Sequence, residues 1–287
     1  MIAALEKINF TESLSFMAYG VRLMVRSDDS EALRRLLPFF PLGWKRSAPQ
    51  KTARVYTLMA DGGKLRRKDK GFGLLYADGV RLCRTTSEEE LCSAFESNVT
   101  IHVAEHAPRR VFVHAGVVGW HGRAILIPGR SFSGKTSLVA ELVRAGAIFY
   151  SDECAVLDNR GRVHPYPRSL HIREHGDQRQ TSYRVEELGG TAGTKPLPVA
   201  TVLLSKYKAG AMWRPRRLSP GEGTLELFAN TFPARKQPEK ALAALKRVAM
   251  QARIFKGVRG EAQQIVQSLI TDLLQSDTNN FKEKTDE

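Results

Sequence analysis

Residues 129–137 read GRSFSGKTS, and within them Gly129, Gly134, Lys135 and Thr136 meet the spacing G-x-x-x-x-G-K-[ST]. Each residue type suits the binding of phosphate. The glycines let the backbone turn tightly and approach phosphate oxygens, so that successive N–H groups form an anion nest at a helix N-terminus. Lys135 would neutralise charge on β- and γ-phosphates, and the Thr136 hydroxyl would face Mg²⁺. The whole stretch (Gly129, Arg130, Ser131, Phe132, Ser133, Gly134, Lys135, Thr136, Ser137) is the expected cradle. The competing reading is a glycine-rich strand-to-helix turn that carries a surface lysine.

Sixteen residues after Thr136 stands Asp152, in the run Ser151-Asp152-Glu153. Carboxylates near a phosphate loop suit magnesium–nucleotide chemistry: one holds the metal or its waters, another takes a proton from an attacking hydroxyl. The alternative is a solvated acidic turn. Fifteen residues before Gly129 lies His114, within VFVHAGVV. That separation suffices for a hairpin that returns to the loop, although a histidine among β-formers could equally be a satisfied core residue.

The positioning elements follow from pattern. VFVHAGVVGW and HGRAILIPG read as strands around a GWHGR turn, a helix begins at Gly134, and AIFYSDECAVLDNRGRVHPY reads as further strands. PVATVLLS reads as a buried strand, and SPGEGTLELFANT, QPEKALAALKRVAMQA and RGEAQQIVQSLITDLL read as helices. The glycine- and proline-rich ELGGTAGTKPLP reads as a flexible connection beside the phosphate loop, either an ordinary link or a lid.

Ahead of residue 108 the texture is mixed. SLSFMAYGVRLMV reads as one long strand or a strand pair, SDDSEALRRLLPFF as a capped helix, and ARVYTLMA as a strand. GFGLLYADGVRLCRT folds at Asp78-Gly79, a type I′ hairpin signal. TSEEELCSAFESNVTIHVAEHA reads as a helix with acidic residues in its first turn, where the dipole favours them. The organisation expected is therefore a smaller α/β region over 1–108 that binds a partner or substrate, a nucleotide domain over 109–275, and a disordered tail over 276–287.

Composition narrows the partners. The 287 residues carry 44 Lys+Arg against 30 Asp+Glu, a net charge of +14. Such an excess favours anionic partners: nucleotide phosphates, an acidic peptide, nucleic acid or a membrane surface. A basic soluble surface is the plainer account. The run GGKLRRKDKG, with Lys64, Arg66, Arg67, Lys68 and Lys70, either grips an acidic partner or is a solvated hairpin loop. No helix-turn-helix spacing, zinc knuckle or RNP pattern is present, so nucleic acid is not the expected partner; MWRPRRLSP is a single short basic–aromatic mixture. Three cysteines without CxxC spacing argue against a disulfide framework or zinc site and for a cytoplasmic setting. MIAALEKINFTESL has no signal-peptide pattern, and no apolar run approaches a membrane span. His171 and His175 have the spacing of helical metal ligands, but RSLHIRE reads as a strand, so no metal is expected there.

The run HAGVVGWHGRAILIPGRSFSGKTSLVAELVRAGAIFYSDECAVLD resembles the catalytic domain of HPr kinase/phosphorylase and its HPr-kinase-related relatives. The close part of the resemblance spans residues 110–173, with similar element order to about 275. It implies a nucleotide domain like that of phosphoenolpyruvate carboxykinase, built on a mixed sheet. It also implies an ATP- and Mg²⁺-dependent kinase that transfers the γ-phosphoryl group to a serine of a small protein or peptide, and a homo-oligomer is compatible with the family. Carried over by position, Gly129 to Thr136 hold the nucleotide, Asp152 is the general base with His114 close to it, and Glu153 joins Thr136 on Mg²⁺. The chain departs from true HPr kinases at Thr136-Ser137, where they carry Ser-Glu, and at Asp152-Glu153, where they carry Asp-Asp. Their Glu-Ile-Arg-Gly-Leu-Gly signature is absent, with only Arg173 loosely comparable, so HPr itself and reverse phosphorolysis are not expected. The alternative function is a nucleotide-binding scaffold or regulator without phosphoryl transfer.

Overall fold

The computed structural model describes residues 10–51, 53–60, 73–129, 133–173 and 180–271, without the side chains of residues 173 and 180. The basic run at 62–71, Arg130, Ser131, Phe132, the Arg173 side chain, His175 and the tail 276–287 lie outside the described residues. The chain is mixed α/β and divides into two compact units, Met1–Arg110 and Val111–Glu287.

Among the described residues, the first unit is a six-stranded sheet with two α-helices. β1 (Glu12–Ala18) and β2 (Val21–Ser27) are a strand pair, because Tyr19 and Gly20 at φ 51° and 84° make a two-residue hairpin turn. α1 (Ser30–Leu36) starts where the Asp29 side chain accepts the Glu31 N–H. β3 (Lys45–Arg46) lies at one edge. β4 (Arg54–Met59), β5 (Gly73–Ala77) and β6 (Val80–Thr85) complete the sheet in the order β3-β1-β2-β4-β5-β6. Asp78 and Gly79 take φ 48° and 80° between β5 and β6, as the I′ signal requires. α2 (Glu88–His106) is capped by Ser87 and buries Leu91, Phe95, Val99 and Val103, spaced four apart along one face. Phe95 packs on Phe40 and edge-on to Tyr56, which anchors this core.

The second unit is organised around one long strand. β7 (Val111–Trp120) pairs antiparallel with β8 (Arg123–Pro128) across the expected turn, where His121 and Gly122 have φ 46° and 74°. α3 (Lys135–Arg144) follows β8. β9 (Ile148–Ser151) and β10 (Cys154–Leu157) both pair with the other edge of β7, β10 beside Val111–His114 and β9 beside Val117–Gly119. β11 (Arg162–His164) closes a hairpin with β10, pinned by the buried Asp158 carboxylate, which accepts N–H groups from Arg160 and Arg162. β12 (Leu170–Arg173) and β13 (Gln180–Tyr183) form a separate pair, which places His171 on a strand. β14 (Leu197–Tyr207) runs parallel to β8 and to β16 (Arg253–Arg259), and β15 (Arg216–Arg217) edges β16. α4 (Pro220–Phe228), α5 (Pro238–Gln251) and α6 (residues 262–271) complete the unit.

Strand periodicity separates two cores. Val111, Val113, Ala115 and Val117 of β7 join the core that holds Leu227 of α4 and Leu245 and Val248 of α5. Val118, on the opposite face, joins Leu138, Val139 and Leu142 of α3 and Ile265 of α6. His114 and Gly116 share the parity of Val118, so they lie on the α3 side.

One reading changes. ELGGTAGTKPLP, read as a flexible connection, is instead pinned to β9. Thr191 and Gly193 exchange backbone hydrogen bonds with Phe149, and the Tyr150 hydroxyl donates to the Lys195 carbonyl at 2.7 Å. Gly193 is also needed there, because a Cβ would fall 2.2 Å from the Tyr150 ring. In MWRPRRLSP, Trp213 packs into the α3-side core against Gly257, in keeping with nucleic acid not being the expected partner. Among the described residues no helix is long and apolar enough to cross a membrane. The three cysteines, Cys83, Cys92 and Cys154, are unpaired thiols.

The pinned segment predicts slow amide hydrogen exchange at Gly193. Tyr150→Phe should cost about 1 kcal/mol in chemical denaturation and speed that exchange.

Candidate active site

The loop after β8 is shaped by what stands behind each glycine. A Cβ on Gly129 would sit 2.5 Å from the Ser133 hydroxyl. Gly134 caps α3 at φ 80°, and a Cβ there would sit 2.3 Å from the Arg259 guanidinium. A larger residue at Gly134 is therefore excluded by both conformation and space. The helix starts at once with Lys135, whose side chain turns inward and is buried.

The acidic pair is positioned by a break in pairing. β9 and β10 continue one another along the same edge of β7, and the chain leaves that edge over Asp152 and Glu153. Ser151 is buried and its hydroxyl accepts the N–H groups of Glu153 and Cys154, while the Ala115 N–H donates to the Glu153 carbonyl. These bonds turn the Asp152 side chain inward and leave the Glu153 side chain exposed.

Gly116 joins the two halves of the site. A Cβ at this position would lie 2.4 Å from Val139, 3.2 Å from the Lys135 side chain and 3.8 Å from Asp152 Oδ1. The missing side chain is what admits α3 close to β7, with Lys135 beneath it.

Lys135 Nζ lies 3.2 Å from His114 Nε2 and 3.5 Å from the Gly129 carbonyl. Thr136 donates its hydroxyl hydrogen to Asp152 Oδ2 at 2.8 Å. Asp152 Oδ1 is buried and has no hydrogen-bond partner among the described residues. Burial, with the Lys135 charge behind it, holds the His114 imidazole down at about 4, so it is neutral near pH 7 and its Nε2 accepts from the ammonium. Burial lowers the Lys135 pKa, opposed by the Asp152 and Glu153 carboxylates. Burial raises the Asp152 pKa against the Thr136 hydrogen bond and the Lys135 charge. A carboxylate raised in this way is a stronger proton acceptor than one in water.

His114, the adjacent Lys135 and Thr136, and Asp152, from three separate stretches of the sequence, therefore meet, with Gly129, Ser133 and Gly134 at the loop beside them. Glu153 flanks the group from the surface, and Ser137 is exposed on the next part of α3. Thr136 is bonded to Asp152, whereas the sequence reading set it beside Glu153. The donor set suits a hard divalent cation: all candidate ligands are oxygens, Asp152 Oδ1 lacks a partner, and the Thr136 hydroxyl gives its hydrogen to Oδ2 and keeps lone pairs free.

Sequence reasoning missed Arg259 and Tyr207. Arg259 is 1% exposed and donates to the Gly134 carbonyl and to the Gly260 carbonyl at 2.9 Å. Its guanidinium carbon stands 5.6 Å from the Tyr207 ring centroid. The strand RIFKGVR that carries it has no strict alternation and passed unread between two helices. Compared with models of known protein families and with curated proteins, the chain matches none.

Two outcomes test this geometry. Native His114 binds fewer protons than its unfolded counterpart between about pH 6.5 and about 4. Its contribution to stability is therefore present above that window and lost as pH falls through it. Denaturation curves of His114→Gln should fall less steeply than wild type from pH 6.5 to 4. Gly116→Ala should cost about 1–3 kcal/mol by overpacking, read as a lowered Tm.

Proposed function

We propose that this chain is an ATP- and Mg²⁺-dependent kinase of the HPr-kinase-related kind, which transfers the γ-phosphoryl group to a serine hydroxyl of a small protein or peptide. The observation that carries the reading is the buried Asp152 carboxylate. One of its oxygens is without a partner among the described residues, and it sits beside a buried lysine at the glycine-capped start of a helix. An unpartnered buried carboxylate oxygen costs stability, and a cation or an acceptor hydroxyl would relieve it. The long β7–β8 hairpin feeding the loop, within a sheet of parallel and antiparallel pairs, supports a carboxykinase-like nucleotide domain. The unpaired cysteines support a cytoplasmic setting, and the +14 charge supports an acidic acceptor.

In this mechanism the loop amides and Lys135 hold the β- and γ-phosphates. His114, neutral, keeps the ammonium directed at them. Asp152 Oδ1 orients the serine hydroxyl and takes its proton as the oxygen–phosphorus bond forms and the β,γ-bridging bond breaks, leaving ADP. Thr136 and the Glu153 carboxylate would hold Mg²⁺, which would neutralise phosphate charge. Thr136, bonded to Asp152, fixes the rotamer of the base.

The test is transfer from γ-labelled ATP to candidate acceptor peptides, with ATP affinity measured in parallel. Asp152→Asn should lower turnover by about 10²–10⁴-fold while ATP affinity changes only a few-fold. Lys135→Ala should weaken ATP binding about tenfold or more. Near-normal turnover in Asp152→Asn removes the base role. Tight ATP binding with no transfer to any acceptor favours a scaffold.

A further inference from the structure

The chemistry described above occupies one side of the loop. A cleft of about 550 Å³ opens on the other side, lined by Gly134 and Ser137 of the loop and helix start, by Tyr207 at the end of β14, by Arg259 and Glu261 after β16, and by Ile172. Its volume falls in the range of about 300–1,000 Å³ usual for small-molecule sites. We propose that this cleft is a nucleoside subsite, in which the base of the bound triphosphate stacks on Tyr207. The inference rests on the nucleotide reading of the loop.

Polarity is the first argument. Lys135 turns inward toward His114 and Asp152, so a triphosphate held by the loop has its reacting end there. Ser137, two residues on, points about 200° further round a helix of 3.6 residues per turn. It lines the cleft together with Gly134. A linear triphosphate that enters the loop at the Asp152 side must leave it at the Ser137 side, and the cleft begins where it leaves.

The walls suit an uncharged aromatic group. Tyr207 is 39% exposed, so part of its ring is open to a ligand. Its hydroxyl donates to Glu261 at 2.7 Å, and the Arg259 guanidinium lies 5.6 Å from its centroid, so the ring is restrained at two points. Base–aromatic stacking is sequence-tolerant because every base has a π-face. The two cations of the lining are engaged, Arg144 with Glu141 and Arg259 with the Gly134 carbonyl. Among the described lining residues, two arginines and two glutamates cancel in formal charge. A Cβ on Gly134 would sit 3.4 Å from the Cβ of Tyr207, so the residue that carries the ring adjoins the loop.

The experiment compares binding of Mg-ATP and Mg-tripolyphosphate by calorimetry in the full chain. Wild type should bind both, and ATP more tightly. Tyr207→Ala should weaken ATP about tenfold or more and leave tripolyphosphate within about twofold, which also shows the variant is folded. Tyr207→Phe, which keeps the ring, should bind ATP nearly as wild type does. If Tyr207→Ala binds ATP as wild type while Lys135→Ala weakens both ligands, the base lies elsewhere and the inference fails with the phosphate site intact. If wild type binds neither ligand, the nucleotide reading itself fails and takes the inference with it.

Discussion

The second unit is organised by the need to bury the Lys135 side chain under α3, against one face of β7. An ammonium removed from water must find acceptors and opposite charge. Here it finds the neutral His114 imidazole, the Gly129 carbonyl and the field of Asp152 and Glu153. None of these could be reached if α3 stood off from the strand by the width of one more side chain. Gly116 sets that distance. The break between β9 and β10 then brings the carboxylate to the same spot, since a strand that continued in register would keep Asp152 in the ladder.

The charges in this small volume are coupled. His114 stays neutral because it is buried beside an ammonium, and its neutrality is what allows Nε2 to accept from Lys135. Asp152 is pushed the other way by burial, toward a more basic carboxylate, while the Thr136 hydrogen bond and the Lys135 charge oppose that shift. A buried acid and a buried amine with pKa values drawn toward each other are costly to fold. The surrounding fold meets that cost with two apolar cores on either side of β7 and with the Arg259 bond to the helix cap. Because Arg259 comes from the last strand of the sheet, the loop is tied to an element more than a hundred residues away.

Much of the local structure was legible because single residue types dictate it. Asp78-Gly79 and the GWHGR turn require left-handed backbone and produced hairpins. Ser87 and Asp29 capped helices where their spacing indicated. Ser219 with Glu222, which closes a reciprocal cap at the start of α4, is another such signal. The flexible reading of ELGGTAGTKPLP failed for an identifiable reason. Its glycines serve close packing against Tyr150 and Val143 rather than freedom of movement, and glycine content alone does not distinguish the two. β16 was unread because a strand whose partner is parallel and distant has no turn signal to announce it.

The sequence by itself determined the glycine spacing, the lysine and threonine after it, the carboxylate pair and the elements on each side, because these depend on backbone conformation and residue type within a few positions. Only the tertiary structure decided that Thr136 bonds Asp152 rather than pairing with Glu153, that His114 faces Lys135, and that Arg259 and Tyr207 border the loop. Those relations depend on strand order and on which face of β7 receives α3. Both are set by burying apolar surface across the whole unit, a sum over distant residues that no local window contains.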